Sequence, residues 1–316
     1  MLEAVTDPTG PRLAIEPEGI RGWLRGPVEA GGATVVPVDE ADALLWAAPD
    51  DPDGLRRVLE DHGDHLRWVQ LPWAGIEPYV DVLDRDRTWT CGKGVYAEPV
   101  AEMALALSLA GLRGLDRYAR ATTWREHGTI GTNLHRARLV VLGGGGITRS
   151  FLRMVAPFEC RTTVVRRRPD GPPPAPGVDV IGDDGLHDAV VDADLVVLAL
   201  ALTPATTGIV DAALLERMGP RCHLVNVARG GHVVTDDLVA ALRDGTIAGA
   251  GLDVTDPEPL PDGHPLWTLP NCTITPHVGN TPEMAVPLLS ARITENVRRW
   301  AAGEPLVGLV DVDLGY

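Results

Sequence analysis

The chain reads as an α/β protein whose parallel sheets are covered by helices. Three observations lead there. Short β-branched runs alternate with helical patterns along most of the 316 residues. The stretch Asp194–Leu200 is almost continuously apolar, as in a strand buried on both faces. The stretch LVVLGGGGIT (139–148) is a strand that breaks on a run of glycines and reopens as a helix.

Taken in order, Ala33–Val38, Ala43–Ala47 and Leu66–Leu71 read as strands. Asp53–Asp61 reads as a helix with Leu55, Val58 and Leu59 on one face. PWAGIEPY (72–79) is rich in turn formers. Glu98–Ala121 gives the longest helical pattern, with a dense Ala/Leu/Met face and the basic end Arg113, Arg117 and Arg120, which complements the helix dipole. Its apolarity suits a core element or a subunit interface equally. Arg138–Leu142 is a strand, Ile147–Ala156 a helix ending before Pro157, and Arg161–Val165 the next strand. RRRPDGPPPAPG (166–177) is a proline-rich loop. Cys222–Val227, Thr246–Val254 and Cys272–Thr275 complete the strands. Thr235 reads as the N-cap of a helix through Arg243, with Asp236 and Asp237 in its positive first turn. Glu283–Trp300 is the last helix, followed by LVGLVDVDLGY (306–316).

Composition narrows the function. A hydrophobic fraction of 45% and a charged fraction of 23% are ordinary for a globular chain, long enough here for two domains and a sizeable core. The formal charge of −16 disfavours wholesale nucleic-acid binding, although a local arginine cluster can still hold an anion. Cys91, Cys160, Cys222 and Cys272 are widely spaced, with no Cys-X-X-Cys pair, so a zinc site and a disulfide framework are not expected. Reduced thiols and a cytoplasmic location are. The N-terminus shows no basic region followed by an apolar core, so no signal peptide is expected. The apolar run VAEMALALSLAGL (100–112) is too short to span a membrane.

Gly143, Gly144, Gly145, Gly146 and Ile147 stand where a dinucleotide fingerprint belongs, between a strand and a helix. One glycine permits the tight turn and another lets the backbone approach a pyrophosphate, whose charge the helix N-terminus meets. The register Gly143-x-Gly145-x-x-Thr148 lacks the third glycine, so Thr148 either pushes the helix outward or turns its hydroxyl to the phosphates. The next strand ends at Arg166, Arg167 and Arg168, where an NAD site would place Asp or Glu. A guanidinium can bind a 2′-phosphate bidentately, so NADP is preferred over NAD; the plain alternative is a solvated basic loop.

Downstream lie three chemically able residues. Arg229 in NVARGG can fix a carboxylate, His277 in TPHVGN can move a proton near neutral pH, and Glu258 in LDVTDPEPL can orient that histidine. His127, His223, His232 and His264 lack such surroundings and read as structural. Trp73, Tyr96 and Trp267 either shape a pocket or pack.

With these motifs, and LTPATTG (202–208) between them, the chain resembles the D-isomer-specific 2-hydroxyacid dehydrogenases over almost its whole length. Within that family it looks most like the glyoxylate and hydroxypyruvate reductases, including the ending VD…GY. The resemblance implies two doubly wound parallel-sheet domains, with a Rossmann-type cofactor domain (99–281) inserted into a flavodoxin-like substrate domain (1–98 and 282–316). Substrate would bind in the cleft, as a small 2-oxo acid reduced to the D-2-hydroxy acid by NAD(P)H. The resemblance makes Arg229, Glu258 and His277 catalytic. It gives the substrate carboxylate to the backbone N–H groups of Ala74 and Gly75 in VQLPWAGIE (69–77), and assigns Thr203, Ala228, Asp253 and His277 to the cofactor side. Asp253 either lies near the cofactor amide or influences the site electrostatically, or it serves the fold; these readings stand. The helix beginning near Glu98 would sit in a homodimer interface. Three departures from the family pattern are Thr148, Cys91 in place of Asn, and Ala201 in place of Pro. Two other functions fit the same fold: a dinucleotide-sensing protein with little turnover, and oxidation of a non-carboxylate anion such as phosphite.

Overall fold

The computed structural model describes residues 10–124 and 130–315. His127, the first nine residues and Tyr316 of the VD…GY ending lie outside them. The chain forms two compact units, one holding the residues up to Tyr96 and those from Thr281 onward, the other Ala97–Asn280.

The first unit opens with β1 (Arg12–Glu16), α1 (Arg25–Ala30), β2 (Thr34–Val35), β3 (Ala43–Trp46), α2 (Pro52–His62), β4 (Trp68–Gln70) and β5 (Thr88–Thr90). The five strands are parallel, in the order β2-β1-β3-β4-β5. Strand order therefore reverses at β1, the flavodoxin-like arrangement. Pro52 starts α2, and the Asp51 side chain caps it by accepting from the Gly54 N–H at 2.7 Å. The structure adds β1 and β5, which the sequence reading lacks. β1 buries only its middle and is framed by Arg12 and Glu16, while β5 is three residues long. The expected strand Ala33–Val38 shrinks to Thr34–Val35, because Pro37 cannot donate to a ladder.

The second unit starts with α3 (Ala97–Leu112) and α4 (Leu115–Ala119). The single helix expected over Glu98–Ala121 is thus two, broken where Gly114 takes a left-handed φ of 62°. Then follow β6 (Arg138–Leu142), α5 (Gly146–Val155), β7 (Arg161–Val165), β8 (Asp179–Ile181), α6 (Leu186–Ala189), β9 (Leu195–Leu198), α7 (Ala212–Met218), β10 (His223–Asn226), α8 (Thr235–Asp244), β11 (Gly249–Leu252) and β12 (Cys272–Ile274). These seven strands form one parallel sheet in the order β12-β11-β10-β9-β6-β7-β8, which reverses between β6 and β9. Alternation along the strands sends Leu139 and Val141 to one apolar core and Val140 and Leu142 to the other, so helices cover both faces. The expected cap at Thr235 is not made. Val234 occupies the N-cap, and the Thr235 hydroxyl donates instead to the Asp256 carbonyl.

The chain returns to the first unit in α9 (Pro282–Ala302). Here α9 packs on α1 so closely that a Cβ at Gly31 would stand 2.5 Å from Val297 Cβ. Its Asn296 is fully buried; Nδ2 donates to the Val307 carbonyl at 2.9 Å and Oδ1 accepts from the Val307 N–H at 2.8 Å. Asn296 also reaches Gln70, which accepts from the Thr90 hydroxyl, which accepts from Trp68 Nε1. This buried, partnered chain ties the C-terminal segment to β4 and β5. Cys91 belongs to the same core. It is 1% exposed, its N–H donates to the Gly308 carbonyl, and burial pushes its thiol pKa up, so the residue is a packing group in the first unit.

Candidate active site

The glycine turn lies where the seven-stranded sheet reverses, beyond the carboxyl ends of β6 and β9, the position at which open α/β sheets bind ligands. Gly143 has φ 106°, and a Cβ there would stand 2.2 Å from the Ala199 carbonyl oxygen at the end of β9. Only glycine meets both conditions. Gly145 is the N-cap of α5, and a Cβ on it would meet nothing within 4 Å. The backbone is therefore bare on one side, in front of a helix N-terminus whose first amides have no acceptor within the helix. These features fit a pyrophosphate. Thr148 takes neither predicted role: it is fully buried and its hydroxyl donates back to the Gly143 carbonyl at 2.8 Å, bracing the turn from inside.

Arg166 follows β7 and lies along this turn, so that a Cβ at Gly144 would come 2.8 Å from Arg166 Cδ. Its guanidinium donates to the Pro169 carbonyl at 3.2 Å and to the Gly171 carbonyl. Arg166 thus folds the proline-rich loop back on itself. Arg167 and Arg168 are exposed.

The other candidates sit at the carboxyl ends of three adjacent strands, β10, β11 and β12. After β10, the buried Asn226 shapes the turn: its Oδ1 accepts from the Ala228 N–H at 3.0 Å and its Nδ2 donates to the Arg229 carbonyl at 2.9 Å. A Cβ at Gly230 would stand 1.9 Å from the Thr255 carbonyl oxygen, so the Arg229 turn presses directly on the segment leading to Glu258. After β11, Asp253 is 3% exposed and both carboxylate oxygens are engaged. Oδ1 accepts from the Thr275 hydroxyl at 2.6 Å and the Val278 N–H at 3.0 Å, and Oδ2 from the Gly279 N–H at 2.9 Å. The Asp253 carbonyl also accepts from the His277 N–H at 2.8 Å. Asp253 therefore fixes the loop that carries His277.

His277 itself has φ 53°, a left-handed conformation that a non-glycine residue seldom adopts. In it, Nδ1 lies 2.6 Å from Glu258 Oε1. With the proton placed on Nδ1, the ring donates to the carboxylate, and Nε2 keeps its lone pair. The pair is half exposed, at 50% and 42% of the side chains.

His232, read as structural, is fully buried between the carbonyls of Thr206, 3.0 Å from Nδ1, and Leu200, 3.3 Å from Nε2. It ties the turn after β10 to the loop after β9, in which Thr203 donates its N–H to Thr206 Oγ1 and Thr206 donates to the Ala201 carbonyl. His264 caps the 265–268 turn by accepting from the Leu266 N–H, and His223 packs inside the fold. Of the residues that shape the site, the sequence reading lacks Asn226. The available signal was a lone amide at the end of an apolar strand.

In the first unit, Ala74 and Gly75 follow β4, and their backbone N–H groups make no hydrogen bond among the described residues. Trp73 is 37% exposed beside them. Trp267 is 42% exposed and donates its indole N–H to the Pro261 carbonyl.

A fold of this order, with an arginine turn and a carboxylate–histidine pair at three neighbouring strand ends, suits a dinucleotide-dependent dehydrogenase. Comparison with known proteins agrees. Residues 103–279 match the family model described as D-isomer specific 2-hydroxyacid dehydrogenase, NAD binding domain. The chain is 38% identical to an uncharacterized protein of Corynebacterium melassecola, over 92% of this chain and 95% of that one. It is 35% identical to glyoxylate/hydroxypyruvate reductase A of Photorhabdus laumondii, over 94% and 91%. Its fold matches a D-isomer specific 2-hydroxyacid dehydrogenase of Xanthobacter autotrophicus, solved with NADPH and MES, with a TM-score of 0.82, 27% identity, and coverage of 98% of this chain and 100% of that one. The chain belongs to the D-isomer specific 2-hydroxyacid dehydrogenase family, and is an NAD(P)-dependent oxidoreductase of that class.

Proposed function

We propose that this enzyme reduces a small 2-oxo acid of the glyoxylate or hydroxypyruvate type to the D-2-hydroxy acid, with NADPH preferred over NADH. The observation that carries the reading is the Glu258–His277 pair, held at 2.6 Å on a loop that Asp253 fixes. When bound, a reduced nicotinamide supplies hydride to the substrate carbonyl carbon. Protonated His277 donates from Nε2 to the oxygen that gains charge, and Glu258 holds the ring by Nδ1 and balances the imidazolium. Arg229 binds the carboxylate and draws charge from the adjoining carbonyl. The amides of Ala74 and Gly75 are assigned to the same carboxylate.

The Gly143–Gly146 turn and the α5 N-terminus, from Ile147, are assigned to the pyrophosphate, and Thr203 and Ala228 to the nicotinamide side. Arg166 and Arg167, which follow β7, are assigned to the 2′-phosphate; Arg166 also donates to the Pro169 and Gly171 carbonyls of its own loop. Within this reading the cofactor domain is the Ala97–Asn280 unit. The enzyme is a cytoplasmic homodimer with α3 in its interface; the four free cysteines suit a reducing compartment.

The test is cofactor oxidation with glyoxylate, hydroxypyruvate, pyruvate and bulkier 2-oxo acids, with NADPH and NADH in parallel. The reading predicts turnover with the small acids and a lower KM for NADPH. Cofactor binding without turnover on any acid, or phosphite-dependent reduction of NADP, would replace it.

A further inference from the structure

The first unit contains a polar cluster that the proposed mechanism does not use. It lies at the carboxyl ends of β1, β4 and β5, beside the point where the five-stranded sheet reverses. Arg21, in the loop after β1, has φ 51° and lays its guanidinium over the Trp73 ring, 4.1 Å from the centroid. One of its N–H groups donates to the Pro72 carbonyl at 3.0 Å. The guanidinium presents five N–H donors, and the rest make no hydrogen bond among the described residues. Trp73 in turn meets Tyr96 edge to face, with centroids 6.2 Å apart and planes at 63°.

Tyr96 is 8% exposed, and its hydroxyl is buried with no hydrogen-bond partner among the described residues. A buried hydroxyl left unsatisfied is costly, and such a group calls for an explanation. Its ring edge shares a small space with the substrate loop: a Cβ at Gly92 would stand 3.1 Å from both Tyr96 Cε2 and the Ala74 nitrogen. Burial holds the phenol pKa at about 12, so it stays a neutral O–H that can donate and accept. Arg21 and Arg292 are the cations that face it; Arg292 is tied to the Lys93 carbonyl, and Asp50 stands as the counter-charge near Arg21.

We propose that Tyr96 and Arg21 are specificity residues that read an oxygen on the distal carbon of the substrate, so that the enzyme favours 2-oxo acids ending in a hydroxymethyl or similar acceptor group over those ending in a methyl. The proposal rests on the 2-oxo acid reading above. The Ala74 and Gly75 amides take the carboxylate, and the distal oxygen accepts from Arg21 and satisfies the Tyr96 hydroxyl. Trp73 holds Arg21 flat by stacking beneath it. A site built to hydrogen-bond a substrate hydroxyl rejects the analogue that lacks it, because its own polar groups are then left unpaired.

Hydroxypyruvate and 2-oxobutanoate differ only by hydroxyl against methyl at that end, and they make the test. Wild-type enzyme should show kcat/KM at least about tenfold higher for hydroxypyruvate. Tyr96→Phe and Arg21→Gln should each remove most of that preference, while turnover of 2-oxobutanoate stays within about twofold and so reports that the variants fold. Equal losses on both acids, or no wild-type preference, would overturn the proposal. A second arm needs no turnover. Calorimetric titration of the NADP complex with D-glycerate and D-2-hydroxybutanoate should give the same ordering, again lost in Tyr96→Phe. That ordering in a protein without catalysis would support the specificity site and overturn the oxidoreductase reading; its absence beside normal 2-oxo acid turnover would do the reverse.

Discussion

His277 depends on a backbone that its own residue type does not favour. Its φ of 53° persists because its N–H is held by the Asp253 carbonyl, and the next two amides by the Asp253 carboxylate. The loop thereby aims the ring at Glu258. Without a carboxylate to receive the Nδ1 proton the ring loses its orientation, so Glu258→Gln should cut kcat about tenfold or more at nearly unchanged NADPH affinity; an unchanged kcat would detach Glu258 from the histidine. The meeting of Glu258 and His277 was legible in the sequence because each sits in a short motif in order behind a glycine turn. What Asp253 does was not legible, because a buried aspartate at a strand end looks the same whether it meets a ligand or its own loop. Thr148 shows the same limit: its hydroxyl faces inward, to Gly143, and no spacing rule says so.

At the scale of elements, strands buried on both faces were the easiest to read. Arg138–Leu142 and Arg161–Val165 have the bounds that the sequence predicts. Short or half-exposed strands such as β5 and β8 carry too few residues for a period to show. The break between α3 and α4 was hidden because a glycine inside a helical pattern is ambiguous until its φ is known. His223 illustrates how elements constrain one another. It opens β10, and its ring fills the space left by Gly111 on α3 and Gly249 on β11, where Cβ atoms would approach it to 2.8 and 3.1 Å. Burial holds its pKa below the ordinary 6.5, with Asp116 opposing that shift. The unfolded chain then takes up a proton that the folded one refuses. The resulting stability is full above about pH 6.5 and is lost as pH falls towards the lower folded value. His223→Gln should therefore flatten the acid side of the Tm–pH curve between pH 7 and 5. An acid slope equal to wild type would show that the imidazole titrates freely in the native state.

The whole molecule carries a formal charge of −16, yet its cofactor and its substrate are anions. In the proposed reading these anions are met locally, by a bare helix N-terminus at Gly145, an arginine turn after β10 and a basic run after β7. Arg166 and Arg167 divide the last of these. Arg167→Ala should raise KM for NADPH about tenfold or more with little change for NADH, since a charge-assisted bond to a phosphate is worth about 1.5–3 kcal/mol. Arg166→Ala should loosen the loop and weaken both cofactors; equal effects of Arg167→Ala on the two would return that residue to the solvated surface. The two-sheet architecture was legible from the alternation of elements and from the family motifs. The inward turn of the Arg166 fork, onto Pro169 and Gly171, was not, because a run of three arginines does not say which of them the loop consumes. In the proposed reaction His277, oriented by Glu258, supplies the proton in reduction of a 2-oxo acid. The most direct measurement is single-turnover NADPH oxidation with hydroxypyruvate, wild type against His277→Ala, with NADPH affinity read in the same samples. The predicted result is a rate lower by about 10²–10⁴-fold at nearly unchanged cofactor affinity. An unchanged rate, or a loss that follows weakened NADPH binding alone, would contradict it.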